Sequence, residues 1–218
     1  MGDDFPASRG PDVAEALRRQ IFAGALPPGS PLDEARLAEE LHVAAGLVPQ
    51  ALAQLTDEGL VETLPDQTRQ IAVVNELHAI QLLDVLEVVL VAVFERAAPR
   101  IGSSGIAAME ARARQLEDAL NSGDMPGSRE ILLDLIRIII DAADHDELRA
   151  VNEHVLKRSL GRLYLYRRSE FYFLWIDGWK ESVALLKADE PDAAVQRLRR
   201  MFWVLTEELR GSGSPAEA

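Results

Sequence analysis

Residues 35–73, ARLAEELHVAAGLVPQALAQLTDEGLVETLPDQTRQIAV, constrain this chain more than any other stretch. Leu37, Ala38, Leu41, Val43, Val48, Leu52, Leu55, Leu60 and Val61 recur at spacings that turn one face of two short helices toward a shared core. Gly59 falls just past the second helix, where a glycine in a left-handed conformation ends many helices. Beyond it, LPDQ turns the chain between VET and RQIAV, as the tip of a hairpin would. Two helices, a turn and a strand pair make a winged helix-turn-helix by pattern. Pro49 sits in the first turn of the second helix, where its missing N–H does no harm.

The flanking sequence completes a mainly α chain. A helix is expected from Asp12 to Ala23, capped by Asp12, with Val13, Leu17, Ile21 and Phe22 inward. Residues 1–11 read as a disordered arm and 12–75 as the winged domain. Residues 76–210 read as an all-helical bundle and 211–218 (GSGSPAEA) as a flexible tail. Glu76 to Arg100 is a long helix, apolar on nearly all sides, so it should be buried against several neighbours. Ser128 is expected to cap a helix containing REILLDLIRIIIDAAD. Residues 147–168 form a further helix ending in Arg162, Arg167 and Arg168, and FYFLWIDGW (171–179) is the densest aromatic stretch of the chain. His42 is expected as a partly exposed residue in the turn of the motif. His145, Asp146, Glu147 and His154 match no metal spacing and read as solvated helix-end residues.

The run from Val13 to Val74 resembles the N-terminal domain of GntR-type bacterial transcription regulators. GALPPGSPLDEARLAEEL is its most specific part, and LVPQALAQLTDEGLVE follows in register. The remainder is similar, in helix order and in its C-terminal helix pair, to the FCD effector domain that accompanies this DNA-binding domain. The resemblance implies a homodimer that senses a small molecule and adjusts operator binding. It also implies DNA contacts at Asp33, Ala44, Ala45, Gly46, Pro49 and Thr68, and there this chain departs from the pattern. The family's arginines fall at Ala45 and Pro49, basic residues are common at Ala53 and Gln54, and the wing glycine falls at Thr68. A recognition helix without Arg, Lys or Asn has almost nothing with which to read a base edge. The family's metal ligands, an Asp and three His, fall at Asp134, Ile138, Trp179 and Met201. One carboxylate does not hold a transition metal, so no metal and no other cofactor is expected.

Charge argues the same way. Up to residue 75 the chain has five arginines and no lysine against twelve carboxylates, and the formal net charge of the whole is −13. Duplex binding rests on neutralising phosphates with Lys and Arg, so long-range repulsion is expected and DNA is a disfavoured partner. Cysteine is absent, which excludes disulfides, thiolate zinc sites and a cysteine nucleophile. A Gly-rich phosphate loop and a nucleophile-elbow serine are absent too. The N-terminus MGDDFPASRG is polar and acidic. The longest apolar stretches are interrupted by Asp84 and Glu87, and by Asp134 and Arg137, so no membrane contact and a cytoplasmic location are expected.

Two functional readings follow. In the first, the chain is a regulator homologue that binds a small, apolar or aromatic molecule among Asp134, Arg137, Ile138, Arg158, Trp175, Trp179, Lys180 and Met201, with DNA binding weakened or lost. In the second, it is a repurposed member that does not bind DNA and acts as a carrier, a dimer partner of true regulators, or an enzyme. For the enzyme, Asp134 in an apolar pocket would be the general acid or base, because such a pocket raises a carboxyl pKa. Arg137, Arg158, Tyr164, Tyr166, Trp175, Trp179 and Lys180 are the candidate helpers.

Overall fold

A computed structural model describes residues 10–166 and 169–212 of the chain. Residues 1–9 of the expected arm, Arg167, Arg168 and most of the expected tail lie outside the described residues, while Gly10 and Pro11, also expected in the arm, are helical. The chain divides into two compact units, Met1–Val73 and Val74–Ala218.

The first unit holds α1 (Gly10–Ala23), α2 (Glu34–Leu41), α3 (Leu47–Asp57), β1 (Val61–Thr63) and β2 (Arg69–Ile71). Helix α1 begins two residues before the expected Asp12 cap. Val13, Leu17, Ile21, Val48, Leu52, Leu55, Leu60 and Ile71 are buried together, because α1 and β1 both pack on α3. Leu41 and Val43, expected in this core, are only half-buried. The strands are antiparallel, with Val61 opposite Ile71 and Thr63 opposite Arg69. The α1–α2 loop lies along β2: Ile71 N–H donates to the Ser30 carbonyl at 2.9 Å and Leu32 N–H to that of Arg69 at 2.8 Å. His42 ends α2 in the left-handed region at φ 53°, and Gly59 follows α3 at φ 74°. At the wing tip the left-handed residue is Gln67, at φ 69°, rather than Thr68.

Asp33 is the cap of α2. Its carboxylate accepts the N–H groups of Ala35 (2.9 Å) and Arg36 (3.1 Å), two donors that the first turn leaves without helical partners. Replacing Asp33 with Ala is expected to lower unfolding free energy by about 1 kcal/mol in urea titration; no change would mean that water serves those donors equally well.

The second unit holds α4 (Glu76–Ala97), α5 (Ser103–Asn121), α6 (Met125–Ala143), α7 (Asp146–Leu165), α8 (Ser169–Lys187) and α9 (Pro191–Ser212). Helix α4 is central, packed on α6, α7 and α9, while α5 packs on α6 and α8 and α8 on α9. It starts on Asn75, whose side chain accepts the His78 N–H at 2.8 Å. With a mean hydropathy of 2.1, α4 is long and apolar enough to cross a bilayer; Asp84 and Glu87 do not lower it as far as the sequence reading supposed. Its buried side, including Leu83, Leu86, Leu90, Val93 and Phe94, is the bundle core.

Three boundaries differ from expectation. Asp124, not Ser128, caps α6 by accepting the Gly127 N–H at 3.0 Å; Pro126 lies in the first turn, and Ser128 is fully buried. The aromatic stretch 171–179, where the family resemblance implies a loop leading into a helix, lies wholly within α8. Its helical repeat buries Tyr172, Trp175, Ile176 and Trp179 and leaves Phe173 exposed. Helix α9 runs on through Gly211 and Ser212, so the start of the expected tail is helical.

Candidate functional site

The winged-helix surface is the first candidate. Ala44, Ala45, Gly46, Gln50 and Ala53 are exposed on and before α3, Pro49 is half-buried, and α3 carries no cation. Three of the described cations of the unit, Arg18, Arg36 and Arg69, are held by its own carboxylates. Arg18 reaches Glu58 through Nε at 2.8 Å and Nη2 at 2.7 Å, and it also bonds Glu15. Glu58 is buried beneath this pair. Arg36 bonds Glu40 at 2.7 Å and Arg69 bonds Glu34 at 3.1 Å. Among the described residues only Arg19 makes no ion pair in this unit. At the wing, Asp66 accepts the Thr68 hydroxyl at 2.6 Å and the Thr68 N–H at 3.0 Å, and these bonds hold its carboxyl below the usual range. Asp33 is occupied as a cap. Among the described residues, α3 and the turn before it present small, neutral side chains and no cation.

The helical unit supplies the second candidate. The structure does not gather the expected ligand residues around one cavity. Asp134 is half-exposed and lies between Arg137, at 2.6 Å, and Arg112, at 3.6 Å. That charged surface replaces the apolar pocket which the acid–base reading required. Arg137, Arg158 and Lys180 are exposed, and Lys180 bonds Glu117 at 2.9 Å. Ile138 is half-buried, while Trp179 and Met201 are buried in the core. Trp179 meets Phe94 edge-on at 6.2 Å, and Trp175 meets Phe202 edge-on at 5.6 Å. Gly178 lets α8 and α9 close over this cluster, since a Cβ there would fall 2.4 Å from Met201 Sδ.

These residues do not fit the metal that the fold suggests. An indole N–H is a donor only, Ile138 offers no lone pair, and Met201 is a weak ligand packed against a glycine. Among the described residues no group of three or more His, Asp, Glu or Cys side chains could hold an ion. His145 instead caps α7, its Nδ1 accepting the Leu148 N–H at 3.3 Å.

Of the expected ligand residues, Lys180 lines an open, charged groove with Glu110, Arg114, Glu117 and Lys187, and Trp175 lines a smaller apolar cavity. Leu116, Leu120, Leu132, Leu160, Leu163, Tyr164 and Tyr172 complete its walls. Its volume is about 10 Å³, room for about one water. Ser128 Oγ and Tyr164 Oη, 3.3 Å apart, form the polar group nearest its wall. Burial pushes the Tyr164 phenol well above its ordinary pKa, so it stays protonated. The leucines were not singled out from sequence because their spacing is that of any core face.

Comparison with known proteins agrees with this architecture. The model for bacterial regulatory proteins of the gntR family matches residues 10–68, and the FCD domain model matches 81–202, more than half the chain. No curated protein sequence matches. Among solved structures, a GntR transcriptional regulator described as putative, from Rhodococcus sp. RHA1, superposes with TM-score 0.75 at 17% identity, covering 94% of this chain and 99% of that one. McbR/YncC of E. coli gives 0.70 at 20%, covering 95% and 100%. Lar, described as controlling expression of the Listeria monocytogenes agr system, gives 0.59 at 19%, covering 95% and 99%. At these identities the likeness is one of fold; the two domain matches carry the family, and the chain belongs to the FCD-domain branch of the GntR family.

Proposed function

We propose that the chain is a homodimeric, small-molecule-binding member of its family whose winged helix has lost operator reading. The observation that supports this best is the state of its cations. Arg18, Arg36 and Arg69 face carboxylates of their own domain, and α3 has none to offer. Any effect on transcription would then run through a partner rather than through direct base contacts.

The ligand proposed is apolar or aromatic and enters at the leucine-lined cavity beside Trp175, Tyr164 and Tyr172. The cavity is nearly closed, so binding requires the aromatic side chains to part. The enzymatic reading loses its support, because Asp134 is half-exposed between two arginines.

The test is a fluorescence titration of the full chain with indole and with naphthalene, using wild type and Leu160→Phe. Leu160 is buried at the cavity wall, and the larger ring fills the space. Wild type is expected to show a saturable change in Trp175 emission, with affinity weakened about tenfold or more in Leu160→Phe if this variant keeps its helical circular dichroism. Equal binding by both would place the ligand elsewhere.

A further inference from the structure

The charged groove between α5 and α8 has a volume of about 510 Å³. Two ion-pair rungs cross it. Lys180 Nζ donates to both Glu117 carboxylate oxygens at 2.9 Å, and Lys187 Nζ to those of Glu110 at 3.0 and 3.1 Å. The two helices therefore run antiparallel, and the rungs stand two turns apart on each, a rise of about 10 Å. Between the rungs the walls are small and apolar. Ala113 and Val183 are buried, and Ala184 is exposed at the rim. Arg114 is the charged residue lining that stretch. Its side chain is 65% exposed and approaches Glu110 only to 3.8 Å, and it makes no hydrogen bond among the described residues.

The rungs brace α5 on α8, but they leave the space between them open. A volume of this size falls among small-molecule sites, which run from about 300 to 1,000 Å³. A protein partner would need a face of roughly 800 Å² rather than a short trough. Charge narrows the choice further. Three cations against two carboxylates leave the groove one positive charge, on a chain whose net charge is −13. Each lysine already holds both oxygens of its glutamate, so the spare charge is that of Arg114. We infer that the groove binds a small organic monoanion with a short, flat apolar body. Its anionic group sits on the Arg114 guanidinium, which grips a carboxylate through two parallel N–H···O bonds. Its body lies on Ala113, Val183 and Ala184, and one longer than about 10 Å would meet a rung. This site is separate from the leucine-lined cavity, although α5 and α8 contribute to both. An anion entering that cavity would give up its hydration among apolar side chains, so the two sites sort ligands by charge.

The test is a chemical-shift titration of the isotope-labelled full chain with 2-naphthoate, as wild type, Arg114→Gln, Ala184→Phe and Leu160→Phe. Arg114 and Ala184 are exposed, so neither substitution should disturb the fold, and helical circular dichroism checks each variant. Wild type is expected to bind with Kd of about 1 mM or tighter, more weakly as salt rises, with the shifts centred on Ala113, Arg114, Val183 and Ala184. Arg114→Gln should weaken binding about tenfold or more by removing the charged donors. Ala184→Phe should do the same by filling the space between the rungs. Leu160→Phe, which narrows only the leucine-lined cavity, should leave Kd within about twofold of wild type. No binding by wild type at 2-naphthoate concentrations up to about 10 mM would overturn the site. Binding that survives either Arg114→Gln or Ala184→Phe unchanged would overturn it too. Binding lost only in Leu160→Phe would place 2-naphthoate in the leucine-lined cavity, overturning this inference while leaving the ligand reading above in place.

Discussion

A labelled duplex of random sequence, titrated at low salt with the full chain, is expected to show no rise in anisotropy at protein concentrations up to about 100 µM. Non-specific binding by ordinary DNA-binding domains has dissociation constants of about 10⁻⁴ to 10⁻⁶ M even at physiological salt, and low salt strengthens it steeply. Absence of binding there means that no basic face exists. The proposed loss of operator reading has two supports. Ala45 and Pro49 stand where the family resemblance places arginines, so bases would go unread. Arg36 and Arg69 sit on Glu40 and Glu34, with Arg18 held on Glu58, so these cations would not be available to phosphates.

If contact residues and free cations are what is missing, four substitutions should supply them. Ala45→Arg and Pro49→Arg add cations at the start of α3, while Glu34→Gln and Glu40→Gln release the two surface arginines. None of these four positions is in the core of the unit, so the fold should stand. Four recovered cations give an expected salt slope of about −3 to −4 in log K against log salt. If wild type itself binds and is released by salt, the exposed Arg19 and residues outside the described set supply more than the argument allows, and the loss of operator reading is refuted. Deliberate relief of the ion pairs separates a domain that is merely repelled by net charge from one whose contact residues are missing. Charge relief alone would rescue the first, and only the added arginines would rescue the second.

Sequence pattern was legible wherever a local rule decides the outcome. The winged unit followed from helix periodicity, from Gly59 as a helix stop and from LPDQ as a turn, because each acts within a few residues. The absence of Arg and Lys from α3 is likewise a matter of single positions in a short helix. The pocket was not. Asp134, Arg137 and Lys180 share the helical unit with Trp175, but which face of α6 or α8 turns inward depends on the whole bundle. Those three ended outside while Leu116, Leu132 and Leu160 ended inside. A leucine lining a cavity and a leucine filling a core have the same spacing. The start of α6 was misplaced for a smaller reason: Asp124 and Ser128 are both good caps, and Pro126 in the first turn favours the earlier one. The exposed face of α4 was hidden too, since an all-apolar helix reads as buried all round until its neighbours are known.

Trp179 carries the largest expected loss of stability. It is fully buried where the family's second histidine ligand falls, edge-on to Phe94 and beside the α8–α9 contact at Gly178 and Met201. Trp179→Ala should cost about 3–5 kcal/mol, from lost transfer free energy together with the cavity left behind. Its walls would be Phe94 and the aliphatic and thioether groups around it, so the cavity should stay dry. Indole supplied to this variant, at about a hundred times its dissociation constant, should restore about 2.7 kcal/mol and leave the melting temperature of wild type unchanged. Trp179→Phe is the sharper comparison. The indole Nε1 is buried with no hydrogen-bond partner among the described residues, and an orphaned donor costs about 1–3 kcal/mol. Removing it offsets much of the lost ring area, so Trp179→Phe should lie within about 1–2 kcal/mol of wild type. A Phe variant as unstable as the Ala variant would mean that the N–H has a partner, such as an ordered water. An Ala variant that loses less than about 1 kcal/mol would mean that the core closes over the gap.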